Sequence, residues 1–279
     1  MRAAAPIALA PLLLAAACAG EQHDGEETSA DAGAPAPPTY LALGDSVAFG
    51  FDPHVDTRMT DRFAGFPEVL AARRDLPVTN ASCPGEASGG FISPNGADNH
   101  CRENKAAYPL HVSYEGTQLE FALAYLADHP ETGLVTIDLG GNDVSRLNDL
   151  CSGDVGCLLE GFGPMLQDYA DNLDTIFAAL RDTYDGPLVA LTIYNPKPED
   201  ATYQLGLERI NGALSARALE HGALVADGLA AYARAASGGD PCAAGLLIPM
   251  PDGTCDVHPS PLGDEVLADA IEAALADSR

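Results

Sequence analysis

The sequence predicts an α/β protein: a central parallel sheet of about five strands, covered by helices on both faces to make a three-layer α/β/α sandwich. Short, wholly apolar runs alternate along the chain with longer stretches whose apolar residues recur at helical spacing. Parallel neighbours need crossover connections, and a sheet covered on both faces has strands that are apolar throughout. Residues of unusual chemistry gather where three of those runs end. In open parallel sheets, sites form beyond the carboxyl ends of the strands.

Residues 40–43, Tyr-Leu-Ala-Leu, are the first predicted strand, and they break at Gly44-Asp45-Ser46. Residues 66–74 read as a helix carrying Val69, Leu70 and Ala72. Residues 77–80 are a short strand that enters the Gly- and Ser-rich loop "ASCPGEASGG". Residues 119–128 form a helix with Leu119, Leu123 and Leu126 on one face, and the buried strand 134–139 then ends in Gly140-Gly141-Asn142-Asp143. A long helix is expected over 164–184, where Leu166, Tyr169, Leu173, Ile176, Phe177 and Leu180 fall at helical spacing. Residues 188–194 are a strand, Leu207, Ile210 and Leu214 mark a helix, and 223–226 is the fifth strand. Ser260 caps the last helix with Pro261 at its first position, and Val266, Leu267, Ala270 and Ile271 face inward. Residues 91–117 and 237–257 are long insertions rich in Gly and Pro. No internal repeat breaks the region 39–279, which reads as one domain.

The ends and the charge bound the setting. Arg2 precedes an apolar run over 3–17 that is too short to span a bilayer comfortably, so residues 1–18 read as a signal peptide. The run stops at "LAAACAG", which resembles the lipobox of bacterial lipoproteins, where the cysteine is lipidated and becomes the mature N-terminus. Here that residue is Cys18, with Ala15 where the family prefers Leu. An ordinary secretory signal is the alternative. Residues 19–38, acidic and rich in Pro and Ala, cannot bury enough to order themselves and read as a linker. Six cysteines remain in an exported chain, which points to disulfides, and nearest-neighbour pairing (Cys83 with Cys101, Cys151 with Cys157, Cys242 with Cys255) is the simplest expectation. None has C-x-x-C spacing, so a metal role is the weaker reading. With 41 acidic against 14 basic residues and a net charge of −27, the chain is a poor match for nucleic acid and for anionic lipid.

A serine is a weak nucleophile until a base takes its proton, and the base needs a group that holds its tautomer. Ser46 follows a strand end, a good place for an exposed hydroxyl. The G-x-S-x-G elbow is absent, because Ala48 stands where its last glycine would be. The base candidate is His258, which Pro259 keeps out of helical geometry, on a loop ahead of the final helix. The developing oxyanion needs backbone N–H groups or an amide, and Gly85 and Asn142 can supply them from two other strand ends.

This set resembles the SGNH hydrolases, also called GDSL esterases and lipases. In that family the serine of Gly-Asp-Ser is the nucleophile, a glycine of a second loop and the asparagine of G-x-N-D complete the oxyanion hole, and a C-terminal histidine is the base. The resemblance implies Ser46 as nucleophile, Ser46, Gly85 and Asn142 as the hole, and His258 as base. It spans residues 40–277 and implies a flavodoxin-like sandwich. The family's last motif is usually Asp-x-x-His, but Cys255 stands three before His258 here. Asp256 is the expected orienting acid, since alternate residues of an extended segment point the same way. Asp252 and a backbone carbonyl are the alternatives.

His54 competes for the base role but lies too near Ser46 in sequence to arrive from a separate loop. Asp52-Pro53-His54 also faintly resembles metallophosphoesterase motifs, whose further histidine ligands are missing. A surface lipoprotein that keeps the fold without catalysis is the non-enzymatic alternative. The expectation is therefore an exported serine esterase or lipase, in the cell envelope or secreted, monomeric, and requiring no cofactor or metal. Its substrate would be a small-molecule, lipid or polysaccharide ester, with the acyl pocket shaped by 91–117 and 196–205.

Overall fold

The structure, a computed structural model of the 279-residue chain, describes residues 37–278. The expected signal peptide, Cys18 and the linker up to residue 36 lie outside the described residues. Strand β1 (Thr39–Gly44) leads into a one-turn helix α1 (Ser46–Phe49), then α2 (Phe66–Arg74) and β2 (Val78–Asn80). Two short helices, α3 (Ser88–Ile92) and α4 (Cys101–Ala107), precede α5 (Gln118–Asp128) and β3 (Thr132–Asp138). The hairpin of α6 (Gly141–Cys151) and α7 (Val155–Thr183) leads to β4 (Leu188–Leu191), α8 (Ala201–Glu220), β5 (Leu224–Ala226) and α9 (Gly228–Ala235). The chain closes with β6 (Leu247–Pro249), β7 (Cys255–Pro259) and α10 (Pro261–Asp277).

Five strands pair in the order β2-β1-β3-β4-β5, all parallel. This is the flavodoxin-like order, with helices on both sides of the sheet, as the sequence predicts. The alternation of β1 shows why. Leu41 and Leu43 point into a core shared with Leu119 and Ala122 of α5, Leu173, Ile176 and Phe177 of α7, and Ile210 of α8. Tyr40 and Ala42 point the other way, against Phe66 and Leu70 of α2 and Leu267 and Ile271 of α10. All four β1 residues are fully buried. A strand covered on both faces must be apolar at every position, which is why residues 40–43 show no alternation.

Chain order reverses between β1 and β3. The crevice past their carboxyl ends is the place where doubly wound sheets bind ligands. Ser46 and Asn142 lie just beyond these two ends.

Three expectations are modified. The long helix starts at Val155, not at 164, and carries Pro164 in its interior. Proline lacks the N–H that would bond the carbonyl of Glu160. Residue 160 is exposed, so water can satisfy that carbonyl. The first turn is held by Asp154, which accepts from the N–H of Cys157 at 2.8 Å, and by the Cys151–Cys157 disulfide. Second, β4 ends at Leu191, so 192–194 belong to the loop beyond it. Third, His258 is not on a loop. It sits in β7, which pairs antiparallel with β6 in a small second sheet. All three disulfides join nearest neighbours, as expected. Among the described residues no helix is long and apolar enough to cross a membrane.

Phe177 is fully buried in the core between α7 and the sheet. Phe177→Ala is expected to lower unfolding free energy by about 3–5 kcal/mol, through lost burial and the cavity left behind. Urea denaturation followed by far-UV circular dichroism measures this.

Candidate active site

Ser46 is the first residue of α1. Asp45 caps that helix by accepting from the N–H of Val47 at 2.9 Å. The turn between β1 and α1 depends on Gly44, whose φ is +141°. A Cβ there would lie 1.9 Å from Asp138 Oδ1 and 2.5 Å from the Asp138 carbonyl. The chain can thus leave the strand sharply and lift the half-buried Ser46 above the sheet edge.

The base candidate arrives from the other end of the chain. His258 Nε2 lies 2.9 Å from Ser46 Oγ, and its Nδ1 bonds Asp256 Oδ1. The same carboxylate accepts from the His258 backbone N–H at 3.0 Å. Residues 256 and 258 share a face because β7 is extended. With the carboxylate as acceptor, Nδ1 carries the proton. Nε2 is then the free acceptor facing the serine hydroxyl. The hydrogen bond from His258 holds the Asp256 carboxyl below its ordinary value. Asp252 does not reach the ring: its exposed carboxylate accepts from Thr254 Oγ1 at 2.6 Å.

The hairpin bearing His258 is tied at several points. The Cys242–Cys255 disulfide anchors the start of β7. Tyr194 Oη donates to the Val257 carbonyl at 2.6 Å, and the Phe51 ring packs against the imidazole with centroids 5.0 Å apart. His54 Nε2 donates to the Pro249 carbonyl at 3.0 Å, so the competing histidine braces the hairpin from outside. Cys255 therefore staples the strand, while the acid of the usual motif sits one residue later.

The other two loops converge on the same spot. Asn142 Nδ2 donates to Asp45 Oδ2 at 2.9 Å, and its Oδ1 accepts from Asn99 Nδ2 at 2.8 Å. These two bonds fix which way the Asn142 amide faces. Gly85 has φ +87°, and a Cβ there would lie 2.0 Å from the Asn99 carbonyl oxygen. Among the described residues, the N–H groups of Ser46 and Gly85 donate to no protein acceptor. Asp143, buried at the start of α6, accepts from Ser88 Oγ at 2.5 Å and from its N–H at 3.1 Å. That bond ties the third loop to the second, and burial pushes the Asp143 carboxyl up to about 6. Beneath the serine, burial raises both Asp45 and Asp138; the Asp45 charge raises Asp138 further, whereas a hydrogen bond from Asp138 partly offsets the rise at Asp45.

Ser46, Gly85, Asn142 and His258 all line one cleft of about 440 Å³. Asn104 and Tyr108 wall it from the first insertion, Pro196 from the loop after β4 and Tyr203 from the first turn of α8, within the two segments expected. Sequence reasoning missed Asn99, Gln118, Asp138 and Tyr194. Asn99 lies inside an insertion with no motif, and Gln118 opens α5 without any local sign of a distant partner. Among the described residues, the one set of three His, Cys, Asp or Glu ligand atoms that converges is Cys83, Glu86 and Cys101. Its sulfurs are bonded to each other.

A neutral imidazole on a serine hydroxyl, next to free backbone donors and an oriented amide, is equipped for acyl transfer. The comparisons agree in class. A search of curated protein sequences finds no match. Solved structures that share the fold include the following two. LAE5, an alpha/beta hydrolase enzyme from the metagenome of Lake Arreo, Spain, is 21% identical over 86% of this chain and 95% of its own, with a TM-score of 0.56. Axe2, an acetylxylan esterase from Geobacillus stearothermophilus, is 17% identical over 85% and 94%, with a TM-score of 0.55. The model of the GDSL-like Lipase/Acylhydrolase family matches residues 42–266, and the chain belongs to that family of ester hydrolases.

Proposed function

We propose that this protein is an exported serine esterase that cleaves carboxylic esters through an acyl-enzyme on Ser46. One observation carries the reading: His258 Nε2 stands 2.9 Å from Ser46 Oγ while its Nδ1 is held by Asp256. In the first step His258 takes the hydroxyl proton as Ser46 Oγ attacks the ester carbonyl. The carbonyl oxygen becomes an oxyanion, received by the N–H groups of Ser46 and Gly85 and by Asn142 Nδ2. Collapse expels the alcohol, which takes the proton from His258. Water, deprotonated by the same histidine, then releases the acid and restores Ser46. Asp256 keeps its charge throughout and stabilises the imidazolium. Three disulfides support an oxidising, exported setting.

The test is hydrolysis of p-nitrophenyl esters from acetate to palmitate, with and without EDTA. Ser46→Ala is expected to abolish release while Tm stays within about 2 °C of wild type, since Ser46 is half-exposed and packs little. Release that survives in this variant but dies with EDTA would move the chemistry to a metal site. No release by wild type on any ester would favour a binding protein on this fold.

Asn142→Ala is expected to lower kcat by about 10²–10³ with little change in KM, as loss of one oxyanion donor does. Steady-state kinetics on the best ester measures it, and an effect confined to KM would refute the role. Asp256→Asn is expected to cost about 10²-fold or more in kcat/KM, because an amide can favour the wrong histidine tautomer. Asp252→Asn should stay within about twofold, because that carboxylate only caps Thr254. The reverse order would reassign the acid.

A further inference from the structure

Two asparagines of the first insertion stand behind the oxyanion donors, one at the back of each amide. Asn99 Nδ2 donates to Asn142 Oδ1 at 2.8 Å, the end of the carboxamide opposite its donor nitrogen. Asn104 Nδ2 donates to the Pro84 carbonyl at 2.9 Å. That carbonyl and the Gly85 N–H are the two ends of one planar peptide group, so the bond to Asn104 also fixes the plane in which the N–H lies. Asn99 reaches the same loop through its backbone, whose N–H donates to the Gly85 carbonyl at 3.0 Å. The chemistry above uses neither asparagine.

We propose that Asn99 and Asn104 are positioning residues of the oxyanion hole. Each donates to the oxygen of an amide whose N–H receives the developing charge, and so both aims and polarises that donor. The proposal rests on the esterase reading above and adds two residues to it.

The physical reason has two parts. An amide that accepts a hydrogen bond at its oxygen becomes a stronger donor at its nitrogen, because bonds in a chain polarise one another. The bond also removes a freedom. The last torsion of an asparagine is broad, and Asn99 closes it for Asn142. Gly85, at φ +87°, has no Cβ to restrain its backbone, and Asn104 restrains the peptide before it. Donors already aimed need no reorganisation as charge develops.

The segment carrying both asparagines is itself held. Asp98 accepts from the Cys101 N–H at 2.7 Å and from the Arg102 N–H at 3.1 Å, which starts α4. Cys101 is bonded to Cys83 of the Gly85 loop. Between Asn99 and α4, His100 has φ +78°, in the left-handed region that residues with a side chain seldom take. This turn separates the two asparagines, so that Asn99 meets Asn142 while Asn104, one turn into α4, meets Pro84.

The experiment measures kcat and KM on a p-nitrophenyl ester for wild type, Asn99→Leu and Asn104→Leu. Each variant is also combined with Asn142→Ala, and Ser46→Ala is subtracted as background. Leucine is close to asparagine in size but donates nothing and leaves little room for a replacing water. Polarisation worth about a tenth to a third of a donor that contributes about 10²–10³ corresponds to roughly two- to eightfold, and lost aim adds to it. Each single variant should lower kcat about five- to tenfold. Asn99→Leu should keep KM within about twofold. Asn104 lines the cleft, so for it kcat alone decides.

The double variants separate positioning from general damage. Asn99 acts through Asn142, so Asn99→Leu should cost less than about twofold once residue 142 is alanine. Asn104 acts through the other donor, so its loss should multiply with that of Asn142→Ala. Circular-dichroism melting checks that the variants are folded, and Asn99→Ala enters the same cycle should Asn99→Leu not fold. A single-variant kcat within about twofold of wild type would overturn the role of that asparagine. An Asn99→Leu loss that multiplies undiminished with Asn142→Ala, or an Asn104→Leu loss that vanishes there, would do the same and leave the esterase intact. A wild type without Ser46-dependent release would overturn both readings.

Discussion

The turn at Gly44 has almost no free space, and the rest of the site depends on it. One side is filled by the Asp138 carboxyl, which leaves no room for a Cβ. The other is filled by the Gln118 carboxamide, which occupies both backbone polar groups. The chain therefore leaves β1 in one direction only, and Ser46 opens a helix at a fixed height over the sheet. A backbone group buried there without a partner would cost about 1–3 kcal/mol, which the Gln118 clasp avoids.

Three loops from separate parts of the chain meet at this turn, held by side chains more than by their own backbones. Asp45 holds Asn142, Asn99 holds the other end of the same amide, and Asp143 holds Ser88. These are bonds between short polar groups, buried or half-buried in a low-dielectric floor. There they are electrostatically stronger than in water, and their loss is more costly. The cost of the arrangement is a set of acids that resist ionisation: Asp45, Asp138, Asp143 and Glu86 are all raised by burial. Preorganised donors next to a serine need such a floor, because donors that must reorganise during the reaction stabilise a developing charge less.

The histidine is delivered differently. It stands on a two-stranded hairpin outside the main sheet, and packing there is thin: Val257 is about half exposed. Its position relies on discrete ties, the Cys242–Cys255 disulfide, the Tyr194 bond and the His54 bond. A disulfide restrains a short exposed strand whose own burial is too small to order it. The substitution of Cys255 for the usual acid fits this: the position is spent on the staple, and strand alternation returns the acid at Asp256.

Strand and helix periodicity in the sequence determined the layers, because burial on both faces of a parallel sheet demands unbroken apolar runs such as 40–43 and 134–139. Six cysteines left fifteen pairings open, of which the simplest, nearest-neighbour one is the one found; motifs at strand ends brought forward Ser46, Gly85, Asn142, Asp256 and His258, which do converge. Periodicity misplaced the start of α7, because a proline inside a helix looks like a proline at its beginning when the carbonyl it leaves free is solvated. It placed His258 on a loop, because a three- to five-residue antiparallel pair carries too few residues for a period to appear. Only the tertiary structure decided Asn99, Asn104, Gln118 and Asp138. Their roles rest on side-chain contacts between residues 20 to 94 positions apart, and no local pattern encodes a partner at that distance.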